Sequence, residues 1–527
     1  MPRLCDKAIV TIAKTLHKNY NLLTNMFKNF FGYHIVADYH KKKDPKRWHI
    51  SGLWKALIAS IIAIAICCVP TESFGIAGFT FNEKIVVALF VWAAIMWVSE
   101  AIPSWSTSVL IIVILLLTVS DKALSFMAHE GVASTVNGEE VIFGAPVSYK
   151  SILATFADPT IMLFIGGFVL AIGMSKVKLD LVAARVMLKP FGTKSENVLL
   201  GFILVTAIFS AFVSNTATAA MMLAFLTPVL KALPADGKGR IALAMAIPVG
   251  ANLGGIMTPI GTPPNTIALG YLNETLGANI TFGEWVAKMA PFVIILLVFA
   301  WFLLRFLFPF KQKKIELNIE GELEPGKQSY IVIAAFAVTI FLWCFSDPLG
   351  LGLNSYIVAM IPVALFASTG VLTRRDLEEI NWSVLWMVAG GFALGLALNA
   401  TKLSDHLVGS IPFGSWSLIV VMIVAMLVCF LFSNFISNSA TASLLVPVLG
   451  VVAGAMTSTT GDTSIAPRML VAVAIAASVS MMLPISTPPN AIAHSTGMIE
   501  QKDMVKVGAI MGFLGLGLGL AWLFLVF

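Results

Sequence analysis

The chain has 527 residues and a formal net charge of +6; 58% are hydrophobic and only 12% charged, against about 25% charged in an ordinary soluble domain. So little charge cannot solvate the surface of a globule this size. That excludes soluble enzymes, nucleic-acid binders and disordered scaffolds, and it makes a lipid bilayer the solvent. Five scattered cysteines, four of them inside apolar runs (Cys67, Cys68, Cys344 and Cys429), make no disulfide framework.

Residues 1–52 stand apart. Ile9, Ile12, Leu16, Leu23, Phe27 and Phe30 recur at helical spacing, and Lys41, Lys42, Lys43, Lys46 and Arg47 close the segment. No continuous apolar stretch marks a secretory signal. The pattern predicts an amphipathic helix on the membrane surface followed by a cytoplasmic basic anchor.

Beyond it, two halves are expected, 53–310 and 329–527, joined by a cytoplasmic linker at 311–328 that carries Glu316, Glu320, Glu322 and Glu324. Single-span candidates fall at 53–70, 84–99, 105–120, 160–175, 286–308, 329–346, 355–372, 382–398 and 505–527. Four further apolar blocks, 197–230, 241–272, 415–456 and 467–497, are interrupted by polar motifs. If the blocks at 197–230 and 415–456 return to the side they enter from, 28 of the 34 Lys and Arg residues fall on the side of the N-terminus. That asymmetry predicts about eleven crossings in a cell membrane, with the N-terminus cytoplasmic and the C-terminus outside.

The halves echo each other. Ser214-Asn215-Thr216 recurs as Ser437-Asn438-Ser439, 223 residues on; Thr262-Pro263-Pro264-Asn265 recurs as Thr487-Pro488-Pro489-Asn490, 225 on; Gly166-Gly167-Phe168 recurs as Gly390-Gly391-Phe392, 224 on. Under the charge-derived topology one hairpin is rooted inside and the other outside. The expected fold is therefore an all-α polytopic membrane protein with two re-entrant hairpins in an inverted repeat, an arrangement found in secondary transporters.

The motifs are breaks. Ser-Asn-Thr is a poor helix interior and a good N-cap. Paired prolines remove two N–H donors and bias the preceding threonine away from helix. Irregular backbone at membrane depth is tolerated only where it lines a cavity or is buried in protein. Four breaks give four half-helix N-termini, each worth roughly half a positive charge, which together suit a doubly charged anion. No Lys or Arg lies in these motifs. Carbonyl and hydroxyl oxygens at the opposing helix ends suit a hard cation such as Na⁺, whose charge would help neutralise the anion.

These residues, with Glu100-Ala101-Ile102-Pro103, resemble the divalent anion/sodium symporters, the INDY-type di- and tricarboxylate carriers, over roughly residues 53–527. The resemblance implies substrate carboxylates bound by Ser214, Asn215, Thr216, Thr262, Pro263, Ser437, Asn438, Ser439, Thr487 and Pro488. It implies one Na⁺ site at Ser210, Ser214, Asn215 and Gly261 and another at Ser433, Asn438 and Ser486. It also implies a homodimer with a scaffold domain and an elevator-like transport domain. Ser439 stands where the family pattern has threonine. His494 lies one helical turn beyond Asn490, where many relatives carry an apolar residue. It is either a hydrogen-bonded structural histidine or, when protonated, a substitute for a bound cation.

The reading is therefore a non-enzymatic carrier of succinate-, malate- or citrate-like anions, coupled to Na⁺. A Na⁺-independent dicarboxylate exchanger is the alternative, an anion channel a further one. The glycine pairs are expected to permit close helix packing, and Asp158 and Glu100, near the membrane boundaries, to be helix caps or interfacial groups rather than proton relays. Trp92, Trp97, Trp285, Trp301, Trp343 and Trp382 are expected at interfaces or facing lipid.

Overall fold

A computed structural model describes residues 52–76, 78–136, 139–233, 237–315, 326–410 and 416–527. The amphipathic N-terminal segment and the acidic stretch of the linker lie outside the described residues.

The first half begins with three apolar helices: α1 (Gly52–Cys68), α2 (Phe81–Ser99) and α3 (Ser104–Thr118). Helix α2 starts at a capping box in which Thr80 and Glu83 satisfy each other's backbone N–H groups. It ends at Glu100, which adopts the left-handed conformation (φ 44°), so Glu100 is a cap as expected. A two-stranded antiparallel hairpin that the apolar pattern did not predict, β1 (Val132–Val136) with β2 (Glu139–Phe143), occupies the next connection. Asp158 then caps α4 (Pro159–Lys176) by accepting the Thr160 N–H at 2.8 Å, and α5 (Leu179–Leu188) follows.

The interrupted blocks come next. Residues 195–232 form a helical hairpin of α6 (Ser195–Phe212) and α7 (Asn215–Ala232). Residues 239–270 form a broken helix of α8 (Gly239–Gly255) and α9 (Pro263–Gly270). A long helix, α10 (Phe282–Leu307), closes the half.

The second half repeats this order. Helices α11 (Lys327–Phe345), α12 (Ser355–Thr369), α13 (Trp382–Ala400) and α14 (Leu403–Ser410) precede a hairpin of α15 (Leu418–Phe435) and α16 (Asn438–Thr460). A broken helix of α17 (Ile465–Ser478) and α18 (Pro488–Ser495) and a long helix, α19 (Gln501–Val526), complete it. Among the described residues, nine helices are long and apolar enough to cross a membrane. Of five shorter apolar helices, two, Asn215–Leu226 and Ile465–Ser478, belong to the hairpin and broken elements, and three lie in α1, α3 and α12.

Packing sorts the helices into two groups. The continuous helices pack on one another: α1 on α2, α3 on α13, α4 on α12, α11 on α12. The hairpins and broken helices pack as a second group, α6 on α8, α16 on α17 and α9 on α17, flanked by the long helices α10 and α19, which pack on each other; α13 on α16 joins the two groups. Residues of the central α16 window are 72% buried and those of the peripheral α11 window 28%, the contrast expected between a helix inside a bundle and one facing lipid.

The glycine pairs act as close-approach sites. A methyl at Gly166 would lie 2.4 Å from the Ala359 carbonyl oxygen of α12, and one at Gly390 would lie 2.4 Å from Ser108 Cβ of α3. Four of the six tryptophans expected at interfaces are core residues instead: Trp92, Trp97, Trp285 and Trp343 are at most 7% exposed. Each places its indole N–H on an internal oxygen, which removes the reason for a tryptophan to seek the headgroups.

Candidate functional site

Every expected break is present, and each starts a helix. Ser214 caps α7, accepting the Ala217 N–H at 3.3 Å; Ser437 caps α16 in the same way, accepting from Ala440 at 3.2 Å. Thr262 and Thr487 stand at the N-cap positions of α9 and α18, both extended and each followed by prolines at the first helical positions; Thr487 alone caps with its side chain, accepting the Asn490 N–H. Crosswise packing brings these ends into one body. Helix α7 of the first hairpin lies against α18 of the second half, and α16 of the second hairpin lies against α9 of the first.

The second asparagine of each repeat is a clasp. Asn265 Nδ2 donates toward the carbonyls of Gly255, Ile256 and Thr258 at 2.8–3.2 Å. Asn490 Nδ2 donates to those of Met481 and Leu483 at 2.8 and 3.0 Å. These are carbonyls that a broken helix leaves without a helical donor. Trp285 Nε1 supplies a further donor to Ile256 at 3.1 Å. Both asparagines are at most 1% exposed, and their Nδ2 groups hold the breaks open.

Oxygens collect at the first break. Ser210 Oγ lies 2.6 Å from Asn215 Oδ1 and 2.8 Å from the Ala251 carbonyl, with one proton to share between them. Gly255 faces the same amide: a methyl there would lie 2.7 Å from Asn215 Oδ1 and 3.2 Å from the Gly261 carbonyl oxygen. Gly261 in turn abuts the Gly255 backbone. Three of the four residues expected at the first Na⁺ site, Ser210, Asn215 and Gly261, are thus one cluster with Ser214 beside them in the chain, and its oxygens outnumber its protons. An oxygen set of that kind is suited to a hard cation.

At the second break the grouping differs from the expected one. Ser486 Oγ lies 3.0 Å from the Asn434 carbonyl and 3.2 Å from Asn434 Oδ1, and accepts the Leu483 N–H at 3.0 Å. Asn434 Oδ1 also accepts the Met482 N–H at 2.8 Å. Asn438 Oδ1 is buried and accepts no hydrogen bond from the described residues. Ser433 is fully buried beside Asn434 in the chain. Asn434 was missed by the motif reading.

Solvent reaches only part of the set. Thr216 and Pro488 are exposed, Ser214, Asn215, Pro263, Ser437, Asn438 and Ser439 are half-buried, and Thr262 and Thr487 are buried. A cavity of about 230 Å³ reaches Ser214, Ala217 and Thr218 at the start of α7 and is walled by Phe168 and Ile172 of α4. Asp180 and Glu379 are the charged residues of its lining. His494 stands at the other end of α18, where its Nδ1 lies 2.9 Å from the Ile499 carbonyl, a hydrogen bond that closes the helix end.

Comparison with known proteins agrees with this architecture. A family model described as citrate transporter (CitMHS) matches residues 92–466. The chain is 27% identical to the sodium-dependent dicarboxylate transporter SdcS of Staphylococcus saprophyticus, over 89% of this chain and 90% of that protein. It is 30% identical to the inorganic phosphate transporter PHO87 of Saccharomyces cerevisiae, over 62% of this chain and 34% of that longer protein. In three dimensions it is similar to the YdaH transporter of Alcanivorax borkumensis, with a TM-score of 0.54, 12% identity, and coverage of 81% of this chain and 98% of that one.

Proposed function

Because the chain belongs to the citrate-transporter family, we propose that it carries small di- and tricarboxylates across a cell membrane by Na⁺-coupled symport. One observation carries this reading. Two oxygen clusters and four half-helix N-termini are gathered in one body, and no Lys, Arg or His lies in the breaks. Partial charges at helix ends favour an anion, and the adjacent proton-poor oxygens favour a cation. Each bound ion then lowers the cost of holding the other, which is the physical content of coupling.

Substrate carboxylates are assigned to Ser214, Asn215 and Thr216 of the first hairpin and Ser437, Asn438 and Ser439 of the second. The starts of α9 (Thr262, Pro263) and α18 (Thr487, Pro488) complete the set. Na⁺ is assigned to Ser210, Ser214, Asn215 and Gly261, and in the second half to Ser433, Asn438 and Ser486 with Asn434 added. The continuous-helix group serves as a scaffold and the broken group as the moving, elevator-like body of a homodimer. The eleven-crossing count, the cytoplasmic N-terminus and the external C-terminus follow the charge asymmetry.

The test uses purified protein in liposomes and labelled succinate, with Na⁺ outside only, inside only, or absent. Symport predicts saturable uptake that requires external Na⁺ and shows counterflow. Uptake indifferent to Na⁺ and stimulated by internal dicarboxylate would establish exchange instead. Flux that fails to saturate would establish a channel. Unlabelled citrate and phosphate as competitors rank the anions, the second because the phosphate dianion carries a dicarboxylate's charge without its two separated carboxylates.

A further inference from the structure

Asn252 lies in α8 and is 1% exposed, yet it belongs to none of the repeated motifs. Its Nδ2 donates to Thr487 Oγ1 at 3.2 Å and to Asn490 Oδ1 at 3.1 Å. Both acceptors belong to the opposite half, at the start of α18. Thr487 Oγ1 also caps that helix by accepting the Asn490 N–H at 3.3 Å, and Asn490 Nδ2 is already engaged with Met481 and Leu483. Asn252 is thus the side-chain donor that fixes the orientation of both residues.

The same turn of α8 forms one wall of the first oxygen cluster. The carbonyl of Ala251, the residue before Asn252, lies 2.8 Å from Ser210 Oγ. Gly255, three residues after it, faces Asn215. The helix is clamped on either side of this turn: a methyl at Gly250 would lie 2.8 Å from the Ile203 carbonyl oxygen, and one at Gly254 would lie 2.3 Å from that of Ala207. Close-packed backbone transmits a displacement at Ala251 to Asn252 with little room to absorb it.

The connection runs one way only. Residue 252 has Ala477 as its mate in the second half, and the mate of Asn490, Asn265, has an Oδ1 that accepts no hydrogen bond from the described residues. The repeat is therefore broken at this point by one amide that joins the first cluster to the second break.

We propose that Asn252 is a positioning residue that links filling of the Ser210–Asn215–Gly261 oxygen cluster by a cation to the orientation of the Thr487 helix start for an anion. The proposal rests on the Na⁺–carboxylate reading above. It requires that Na⁺ raise succinate affinity through this amide, and that removing the amide weaken the linkage more than it weakens the fold.

The experiment is a succinate titration of the full-length purified protein, followed by its melting temperature, in NaCl and in choline chloride. It is run on wild type, Asn252→Ala and Asn252→Ser. In wild type, Na⁺ is expected to tighten succinate binding by about tenfold or more, within the usual range of linked sites. In either variant that ratio is expected to fall below about threefold while succinate still binds at saturating Na⁺. A ratio equal to wild type in a folded variant overturns the proposal, as does loss of fold in both variants, which would make Asn252 a fold residue. Wild type that binds succinate equally in both salts also overturns it, there being no linkage to transmit. Wild type stabilised by succinate in neither salt would instead remove the carboxylate reading on which it stands.

Discussion

The two halves run through the same elements in the same order, but they fill their breaks with different side chains. In the first, position 255 is glycine, and the hairpin asparagine Asn215 reaches the break directly. In the second the matching position is Ser480, whose hydroxyl bonds back to Ala476 at 2.7 Å and reaches Phe430 at 3.2 Å. The space Asn215 uses is taken there. Asn434, which has Ala211 as its mate, supplies the amide instead, while Asn438 keeps an unbonded Oδ1. The exchange continues one step further: Gly261 in the first break has Ser486 in the second, and Thr258 has Leu483. A duplicated backbone has thus diverged into a first cluster short of protons and a second in which Asn434 Oδ1 and Ser486 Oγ already accept backbone N–H groups. Two copies of a motif need not be two copies of a site.

The largest effect should come from removing the hairpin asparagine that both halves keep. Asn215→Ala and Asn438→Ala are each expected to reduce labelled-succinate uptake to background while the protein inserts in the membrane at wild-type levels. Wild-type-like uptake in one of them would remove that asparagine from the site, and the comparison would rest on the remaining residues of its half.

A smaller but more diagnostic effect separates the clusters. Ser210→Ala removes an oxygen that no backbone N–H claims. It should raise the Na⁺ concentration for half-maximal uptake by about tenfold, the equivalent of roughly 1.4 kcal/mol. Ser486→Ala removes the acceptor of the Leu483 N–H, so its first consequence should be a lower melting temperature, with a lesser change in Na⁺ dependence. Measuring both quantities on both variants sharpens the contrast. Equal Na⁺ shifts with no loss of melting temperature would erase it.

The clasps should differ less. Asn265→Leu and Asn490→Leu each remove the side-chain donor of one buried carbonyl that has no other partner among the described residues, Gly255 and Met481 respectively, at a cost of about 1–3 kcal/mol, read as a fall in melting temperature. From the carbonyls alone the two losses should be similar, since Ile256 keeps the Trp285 N–H, Thr258 the Gly261 N–H and Leu483 the Ser486 N–H. A larger loss for Asn490→Leu would mean that its partner Asn252 carries more of the fold than the carbonyls do.

Much of this was legible in the sequence because the bilayer makes few solutions possible. Apolar length fixes spans, and Ser-Asn-Thr and Thr-Pro-Pro-Asn break helices wherever they stand. The breaks therefore fell at Ser214, Thr262, Ser437 and Thr487 as expected. What motif matching missed, Asn252 and Asn434, lies where the halves disagree. Aligned at offsets of 223 to 225 residues, each is an amide facing an alanine, and a polar residue without a mate inside an apolar run is itself a signal. The tryptophans misled for a different reason. Their amphipathic rings suit a headgroup layer, but an internal carbonyl or hydroxyl satisfies the same N–H, and sequence alone does not reveal which partner is in reach. The β1–β2 hairpin escaped because its ten residues carry mixed polar and apolar side chains with no span-length apolar run.

The smallest expected effect concerns the other position at which the halves part, His494, whose mate is Leu269. Leu269 is 3% exposed and packs in the core, whereas His494 is half-buried at the C-terminal turn of α18. The imidazole has a structural partner in the Ile499 carbonyl at 2.9 Å. That bond sits at the negative end of the helix, the end opposite the break, so the ring faces away from the N-terminus that would meet an anion. His494→Leu, which copies the first half into the second, should therefore leave the Na⁺ requirement of uptake and its pH profile unchanged, with a melting temperature lower by the loss of one hydrogen bond, about 1 kcal/mol. A variant that gained or lost Na⁺ dependence would assign the imidazole to ion binding. The charge difference between the halves would then matter more than the oxygen difference at their breaks.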